Sequence, residues 1–397
     1  MKRKENAERR RTKRRFVAET TVRRRVLLAL GWYDYQVNLG VAAFAHKANW
    51  IINDMAGHTH EIPLFWKCDG ILISLPPHKP SVSQQALLAR KLPTVDLRQE
   101  SPLPLPRVVV DNQAIGRIAA EHLLASGFMH LGYYQAYAGQ VEEDRKAGFR
   151  HAVELAGRTF HHIDLSRVQP RYRQGEARLA YLAERIRELP TPIGIMSQYD
   201  GSASELALAC ERGDRLVPEQ VAIVGADNDP IGAELGLIPL TSVDTDRYQH
   251  GYEAAALLER LMNGEPPPEQ VIRIPPKGIV IRRSSDIIAV SNTSVARALS
   301  FIRTHYREPI QVDDIVTASG STRRTLFLAF RKHLGNTVMD TVHRLRIASA
   351  QQLLAETDDK TFSVALDCGY NDARHLNKNF QHLVGMTPSQ YRRKKRK

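Results

Sequence analysis

From residue 25 to about 285, short β-branched apolar runs alternate with longer helical stretches, a rhythm that predicts a parallel sheet with crossover helices. The runs fall at Val26 to Leu30, Asp69 to Leu75, Thr94 to Leu97, Arg107 to Val110, Leu131 to Tyr134, Ile193 to Met196, Val221 to Val224 and Thr241 to Val243. Such a length exceeds one α/β unit and suits two lobes. After about residue 290 the period changes. Leu326, Phe330 and Leu334 recur at i, i+4, i+8, as do Leu376, Phe380 and Val384, which predicts two helices, each with one inward face. Between them, Val338 to Glu356 has no Gly or Pro, and Val338, Val342, Leu345, Ala348 and Leu353 form a stripe. One connecting helix of roughly 28 Å follows from a rise of 1.5 Å per residue.

The two helices belong to a repeat. Ala318, Arg324, Leu326, Phe330, Gly335 and Thr337 recur as Cys368, Arg374, Leu376, Phe380, Gly385 and Thr387, all at one offset of 50. A shared offset across apolar, basic and glycine positions argues for two copies of one supersecondary unit. Each copy reads as a short helix, a turn (Ser319-Gly320-Ser321, or Gly369-Tyr370-Asn371) and a second helix ending at glycine, with Ser321 and either Asn371 or Asp372 as N-caps. The face opposite the core carries Arg324, Leu328 and Arg331 in the first copy. In the second it carries Arg374, Lys378 and Gln381, with His375 and Asn377 beside them. Arg and Lys neutralise phosphates and can fork onto guanine edges, so this is the reading face of a helix-turn-helix. The connector is close to the ~34 Å between successive major-groove entries on one face of B-DNA.

These residues resemble the DNA-binding domain of the AraC family. The likeness runs over residues 290–393 and is carried by Cys368-Gly369-Tyr370, by Leu376 and Phe380, and by Gly385-Met386-Thr387-Pro388 before Tyr391-Arg392. It implies an all-α domain with two helix-turn-helix units on double-stranded operator DNA, with Arg323, Arg324, Thr325, Arg331, Arg374, His375 and Lys378 as DNA-contacting residues. The sequence departs from that family at Phe327 and Leu328, where polar or basic residues are usual.

Charge agrees with this division. Of the net +13, residues 1–25 carry +9, residues 26–288 carry −5 and residues 289–397 carry +9. A nearly neutral sensor attached to a polyanion-binding domain would look so. Residues 1–24 read as a basic disordered tail, with an additional DNA-contacting arm as the alternative. Cys68, Cys210 and Cys368 are too scattered for a disulfide framework or a zinc site. Neither a long apolar run nor a secretory signal occurs, so a cytoplasmic location is expected.

In open α/β sheets ligands bind beyond the carboxyl ends of strands. Trp32, Tyr33 and Asp34 follow the first strand, Asp200 the sixth, Asp227 and Asn228 the seventh, and Asp244 the eighth. Carboxylates and an aromatic ring suit a polyhydroxylated ligand, although an Asp at a strand end is more often an N-cap. The segments Asp69-Gly70-Ile71-Leu72, Val110-Asp111-Asn112 with Gly116, Asp144-Arg145 before Gly148-Phe149, and Gly225-Ala226-Asp227-Asn228 resemble the LacI-type regulatory core, a relative of periplasmic sugar-binding proteins. That resemblance implies a two-lobed α/β domain over residues 25–286, with parallel sheets, whose effector cleft is lined by Arg145, Asp200 and Asp227. A LacI-like core ahead of an AraC-type domain resembles the xylose-responsive regulators. This implies a small sugar effector, a homodimer, RNA polymerase as a further partner, and no cofactor or metal. A different carbohydrate, or none, is the alternative. Enzyme function has no support: Gly-x-Gly-x-x-Gly, Walker and Gly-x-Ser-x-Gly motifs are missing, and His58-Thr59-His60-Glu61 lacks the i, i+4 spacing of a helical zinc site.

Overall fold

The structure is a computed structural model that describes residues 23–30, 33–75, 80–172, 174–287, 289 and 292–395. Trp32 and the basic tail up to residue 22 lie outside these. The chain divides into two compact units. One comprises the chain up to Asn112 together with Asp244–Lys277; the other comprises Gln113–Val243 together with Gly278 onward.

In the first unit, β1 (Arg25–Ala29), β2 (Ile51–Asn53), β3 (Gly70–Ile73) and β4 (Thr94–Asp96) form a sheet of order β2-β1-β3-β4, parallel throughout. β3 and β4 are buried along their whole length, which is why they read as apolar runs rather than alternating ones. A separate parallel pair joins β5 (Val108–Val110) to β11 (Ile272–Ile274). The second unit holds β6 (His130–Gln135), β7 (Thr159–Asp164), β8 (Ile193–Ser197), β9 (Val221–Ala226), β10 (Thr241–Asp244) and β12 (Gly278–Val280) in the order β12-β10-β9-β8-β6-β7. All eight expected strands are present. The short strands β2, β11 and β12 and the edge strand β7, which carries His161 and His162, were not among the expected runs.

Helices α1 (Tyr35–Lys47), α2 (Met55–Thr59), α3 (Val82–Leu88), α4 (Asn112–Ala125), α5 (Gln140–Leu155), α6 (Gly175–Arg187), α7 (Asp200–Arg212), α8 (Pro230–Glu234) and α9 (Arg247–Met262) flank the sheets. Both units contain a helix crossing built on paired glycines. A Cβ on Gly40 of α1 would lie 2.0 Å from the Tyr248 carbonyl oxygen, and one on Gly251 of α9 would lie 2.0 Å from that of Val37. In the second unit, a Cβ on Gly116 of α4 would lie 1.9 Å from the Arg145 carbonyl oxygen, and one on Gly148 of α5 would lie 2.0 Å from that of Gln113. In each pair the glycine meets the carbonyl three residues before its partner, so the backbones touch directly.

The C-terminal helices are α10 (Thr293–His305), α11 (Val312–Ser319), α12 (Arg323–Leu334), α13 (Val338–Glu356), α14 (Thr361–Asp367), α15 (Ala373–Val384) and α16 (Pro388–Lys395). The offset of 50 is kept in the start and end of α12 and α15, and both close on left-handed glycines, Gly335 at φ +70° and Gly385 at φ +76°. One cap differs from expectation. Thr322, not Ser321, caps α12 by accepting from the Thr325 amide at 3.3 Å, while the Ser321 amide is turned onto Ser319 Oγ at 3.2 Å. The turn is one residue longer than the sequence suggested, because Ser321 is still part of it and the helix begins at Arg323. In the second copy Asp372 caps α15.

α13 serves two separate cores. Val338 and Val342 pack with Leu326, Phe330 and Ile302, whereas Ile347, Ala350 and Leu354 pack with Leu376, Phe380 and Val364. Ala348, expected on the stripe, is exposed. A helix that changes its buried face midway cannot keep one stripe along its length. The helical domain joins the second α/β unit through Arg303 on α10, whose Nε lies 3.4 Å from Glu219 Oε1, and through the Ala289 amide, which donates to the Ser126 carbonyl at 2.9 Å.

Candidate functional site

Within the second unit, three neighbouring parallel strands, β6, β8 and β9, end beside one another, and the residues just past those ends converge. Gln198, after β8, accepts from the amides of Ala136 and Tyr137 after β6, the second at 2.9 Å. Its amide nitrogen donates to Glu142 Oε1 at 3.0 Å. Arg145, only 2% exposed, reaches back from α5 to donate to the Gln198 carbonyl. Its other nitrogen pairs with Asp227 Oδ1 at 3.3 Å, and the Asp227 side chain is 25% exposed. Asp227 and Asn228 take left-handed φ values of +97° and +50°. This tight reversal is pinned by Ser242 Oγ on the Asn228 amide at 2.9 Å and by Arg282 on Asn228 Oδ1 at 2.9 Å. Tyr137 and Tyr199 stack beside the group, with centroids 6.1 Å apart and planes within 13°. Behind them Arg178 lies 5.5 Å from the Tyr137 ring and forks onto Glu205, which also accepts from the buried Tyr134 hydroxyl at 2.7 Å. The outcome is a rigid floor bearing a guanidinium, a carboxylate and an aromatic face, the set that grips adjacent hydroxyls and covers the apolar side of a sugar ring.

The other expected residues are placed differently. Asp200 starts α7, is 2% exposed, and its Oδ2 accepts from the Asp229 amide at 2.8 Å. Burial pushes its carboxyl up to about 7. In the first unit, Asp34 caps α1 by accepting from the Val37 amide at 2.9 Å, and its second oxygen takes Arg247 Nε at 2.6 Å. Tyr33 lines a cavity of about 330 Å³ with Tyr35, Leu39 and Ile52. Asp244 Oδ1 accepts from the Asp246 amide at 3.0 Å. The sequence reading missed Tyr137, Glu142 and Arg247. Tyr137 follows a strand end and could have been found by that rule, whereas Glu142 and Arg247 are recognisable only through their partners. Among the described residues no group of three or more His, Cys, Asp or Glu is placed to hold a metal ion, and no helix is long and apolar enough to cross a membrane.

On the helical domain, Arg323, Arg324, Thr325, Leu328 and Arg331 of α12 and Arg374, His375, Lys378 and Gln381 of α15 are all exposed. Leu326, Phe330, Leu376 and Phe380 are fully buried on the opposite side. Arg323 lies 5.7 Å from the Phe327 ring and pairs with Asp313 at 3.3 Å. Arg346, 7% exposed, donates to the Tyr306 and Glu308 carbonyls at 2.7 and 2.8 Å and covers the Tyr370 ring at 5.4 Å, which ties the two helix-turn-helix units to each other.

Two helix-turn-helix units with exposed basic reading faces, carried behind an α/β domain of parallel sheets, define a DNA-binding transcription regulator with an AraC-type output domain. Comparison with known proteins agrees. A periplasmic binding protein-like domain matches residues 120–285 and a helix-turn-helix domain matches residues 315–394. Over 374 residues the chain is 28% identical to the xylose operon regulatory protein of Escherichia coli (strain K12), covering 91% of this chain and 94% of that one. The Haemophilus influenzae protein of the same name is 27% identical, with 91% and 95% covered. The solved structure of a xylose-binding transcription activator superposes with a TM-score of 0.76 at 27% identity, covering 94% of this chain and 98% of that one.

The exposure of Arg374 makes it a test of the second reading helix. Arg374→Ala is expected to cost about 1 to 3 kcal/mol at one operator base pair and to relax specificity there. Footprinting and titration against single-base operator variants measure this, and an unchanged preference at every position would remove Arg374 from the reading set.

Proposed function

We propose that this regulator senses a small sugar, xylose or a similar monosaccharide, at the floor formed by Arg145, Asp227, Gln198 and the Tyr137–Tyr199 stack. The Arg145–Asp227 pair carries the reading: it sets donors and an acceptor side by side at the end of β9, the arrangement that vicinal hydroxyls require. The relatives' names point to the same ligand class. The proposed partners are operator DNA, the sugar, a second copy of the chain and RNA polymerase, in the cytoplasm. A homodimer is supported by Tyr35 and Leu39, which stand 61% and 39% exposed on α1, where a partner would cover them.

Calorimetry with a panel of pentoses and hexoses tests the effector reading. One sugar is expected to bind, and Asp227→Ala is expected to lose about 1.5 to 3 kcal/mol of that affinity, the range for hydrogen bonds to charged groups. Selective binding of a hexose would transfer the proposal to another carbohydrate. Binding of no sugar would leave a regulator that works without a small-molecule effector.

A further inference from the structure

The two reading helices present different chemistry at one equivalent position. Leu328 on α12 stands where Lys378 stands on α15, fifty residues later. It is 61% exposed, while Leu326 and Phe330 of the same helix are fully buried and Phe327 lies under the Arg323 guanidinium at 5.7 Å. Its neighbours along the exposed face are Arg324 one turn before and Arg331 one turn after, both exposed. A large apolar side chain in that setting is held in water on a surface whose charge selects a polyanion. It is the sixth residue of α12, in the part of a recognition helix that contacts base edges. The major-groove floor offers such a side chain one apolar group, the thymine C5 methyl; guanine, cytosine and adenine show only donors and acceptors there.

We infer that Leu328 is a specificity-determining residue that reads a thymine methyl. The two units then read by different means: the first by apolar contact with thymine, the second by hydrogen bonds from Arg374 and Lys378. This rests on the DNA-reading assignment of the exposed helix faces. It also gives a use to the residue that makes the first copy look deficient beside the second. Flanking arginines would hold the phosphates on either side and press the leucine against the groove floor.

Operators are selected from random duplex DNA with the full chain, and each thymine is then replaced singly by deoxyuracil, which lacks only the methyl. For the unaltered protein, one thymine in the half covered by α12 is expected to lose about fourfold in affinity, the worth of one buried methyl group. Leu328→Ala should bind the thymine and uracil forms equally. Leu328→Lys should shift the preference at that base pair from A·T to G·C. Because the side chain is exposed, both variants should melt with the parent. A thymine-to-uracil change without effect at every position, or a difference that persists in Leu328→Ala, overturns the inference while leaving DNA reading intact. Failure of the unaltered protein to select any operator overturns both.

Discussion

Gly116→Ala is expected to destabilise the second unit by about 3 kcal/mol or more, against the usual sign of the substitution. In an open helix position, replacing Gly by Ala gains close to 1 kcal/mol, because the glycine chain loses more freedom on folding. At residue 116 the added carbon would lie 1.9 Å from the Arg145 carbonyl oxygen and 2.7 Å from the Phe149 nitrogen. Both are backbone atoms inside α5, so no side-chain rotation can make room. The helices must separate, and the close approach of Gly148 to the Gln113 carbonyl, which leaves no room for a Cβ there either, is lost as they do. Arg145 is then displaced by its own backbone, so sugar affinity should fall along with stability. Gly201→Ala is the control: its Cβ would meet nothing closer than the Tyr199 ring at 4.0 Å, and that variant should be as stable as the parent or more so. Denaturant titrations of the three proteins decide the matter. If Gly116→Ala matches Gly201→Ala, the crossing is not the close backbone contact described.

Much of this fold is legible in the chain itself. The buried strands were legible because parallel sheets covered on both faces produce unbroken apolar runs. The repeat was legible because two copies of one packing problem reuse Leu and Phe at the same places. Legibility failed where a residue's role depends on a partner far away in sequence. Asp34 stands at a strand end, as a ligand-binding carboxylate would, but its two oxygens are occupied by the Val37 amide and by Arg247, 213 residues further on. The Glu219–Arg303 contact, which joins the α/β unit to the helical domain, has no local signal at either end. The stripe on α13 misled at Ala348, which is exposed where the helix passes from one core to the other, while Leu345 and Leu353 pack as expected. Arg145 and Asp227 are named singly, by a resemblance, and only the fold shows that they lie 3.3 Å from each other across 82 residues.

Asp200→Asn should stabilise the protein most at pH 8, by less than half as much at pH 5, and do little only below about pH 4. The Asp200 carboxyl is 2% exposed, its Oδ1 is buried without a hydrogen-bond partner, and burial raises its pKa from 3.8 to about 7, with the nearby Asp227 and Asp229 charges adding to the rise. A folded-state pKa above the unfolded value means that the folded protein holds this proton more tightly. Its contribution to stability is therefore complete below pH 3.8, declines above it, and is lost once the pH has passed 7. At pH 8 the ionised, buried carboxylate opposes folding by up to roughly 4 kcal/mol, since each tenfold difference in proton affinity between the folded and unfolded chain is worth about 1.4 kcal/mol. Asparagine keeps an oxygen for the Asp229 amide and carries no charge at either pH. His250, whose pKa burial lowers to about 4, acts in the opposite sense as the pH falls, but it is common to both proteins and cancels in the difference. Melting curves of parent and variant across pH 5 to 8 give that difference directly, and it should grow with pH. A gap that stays constant or narrows would place the Asp200 carboxylate in a far more polar setting than the one beneath Gly225 and the Asp229 loop. Because the Asp229 amide that Asp200 holds lies two residues from Asp227, the same titration should appear in sugar affinity, which the variant would make insensitive to pH over this window.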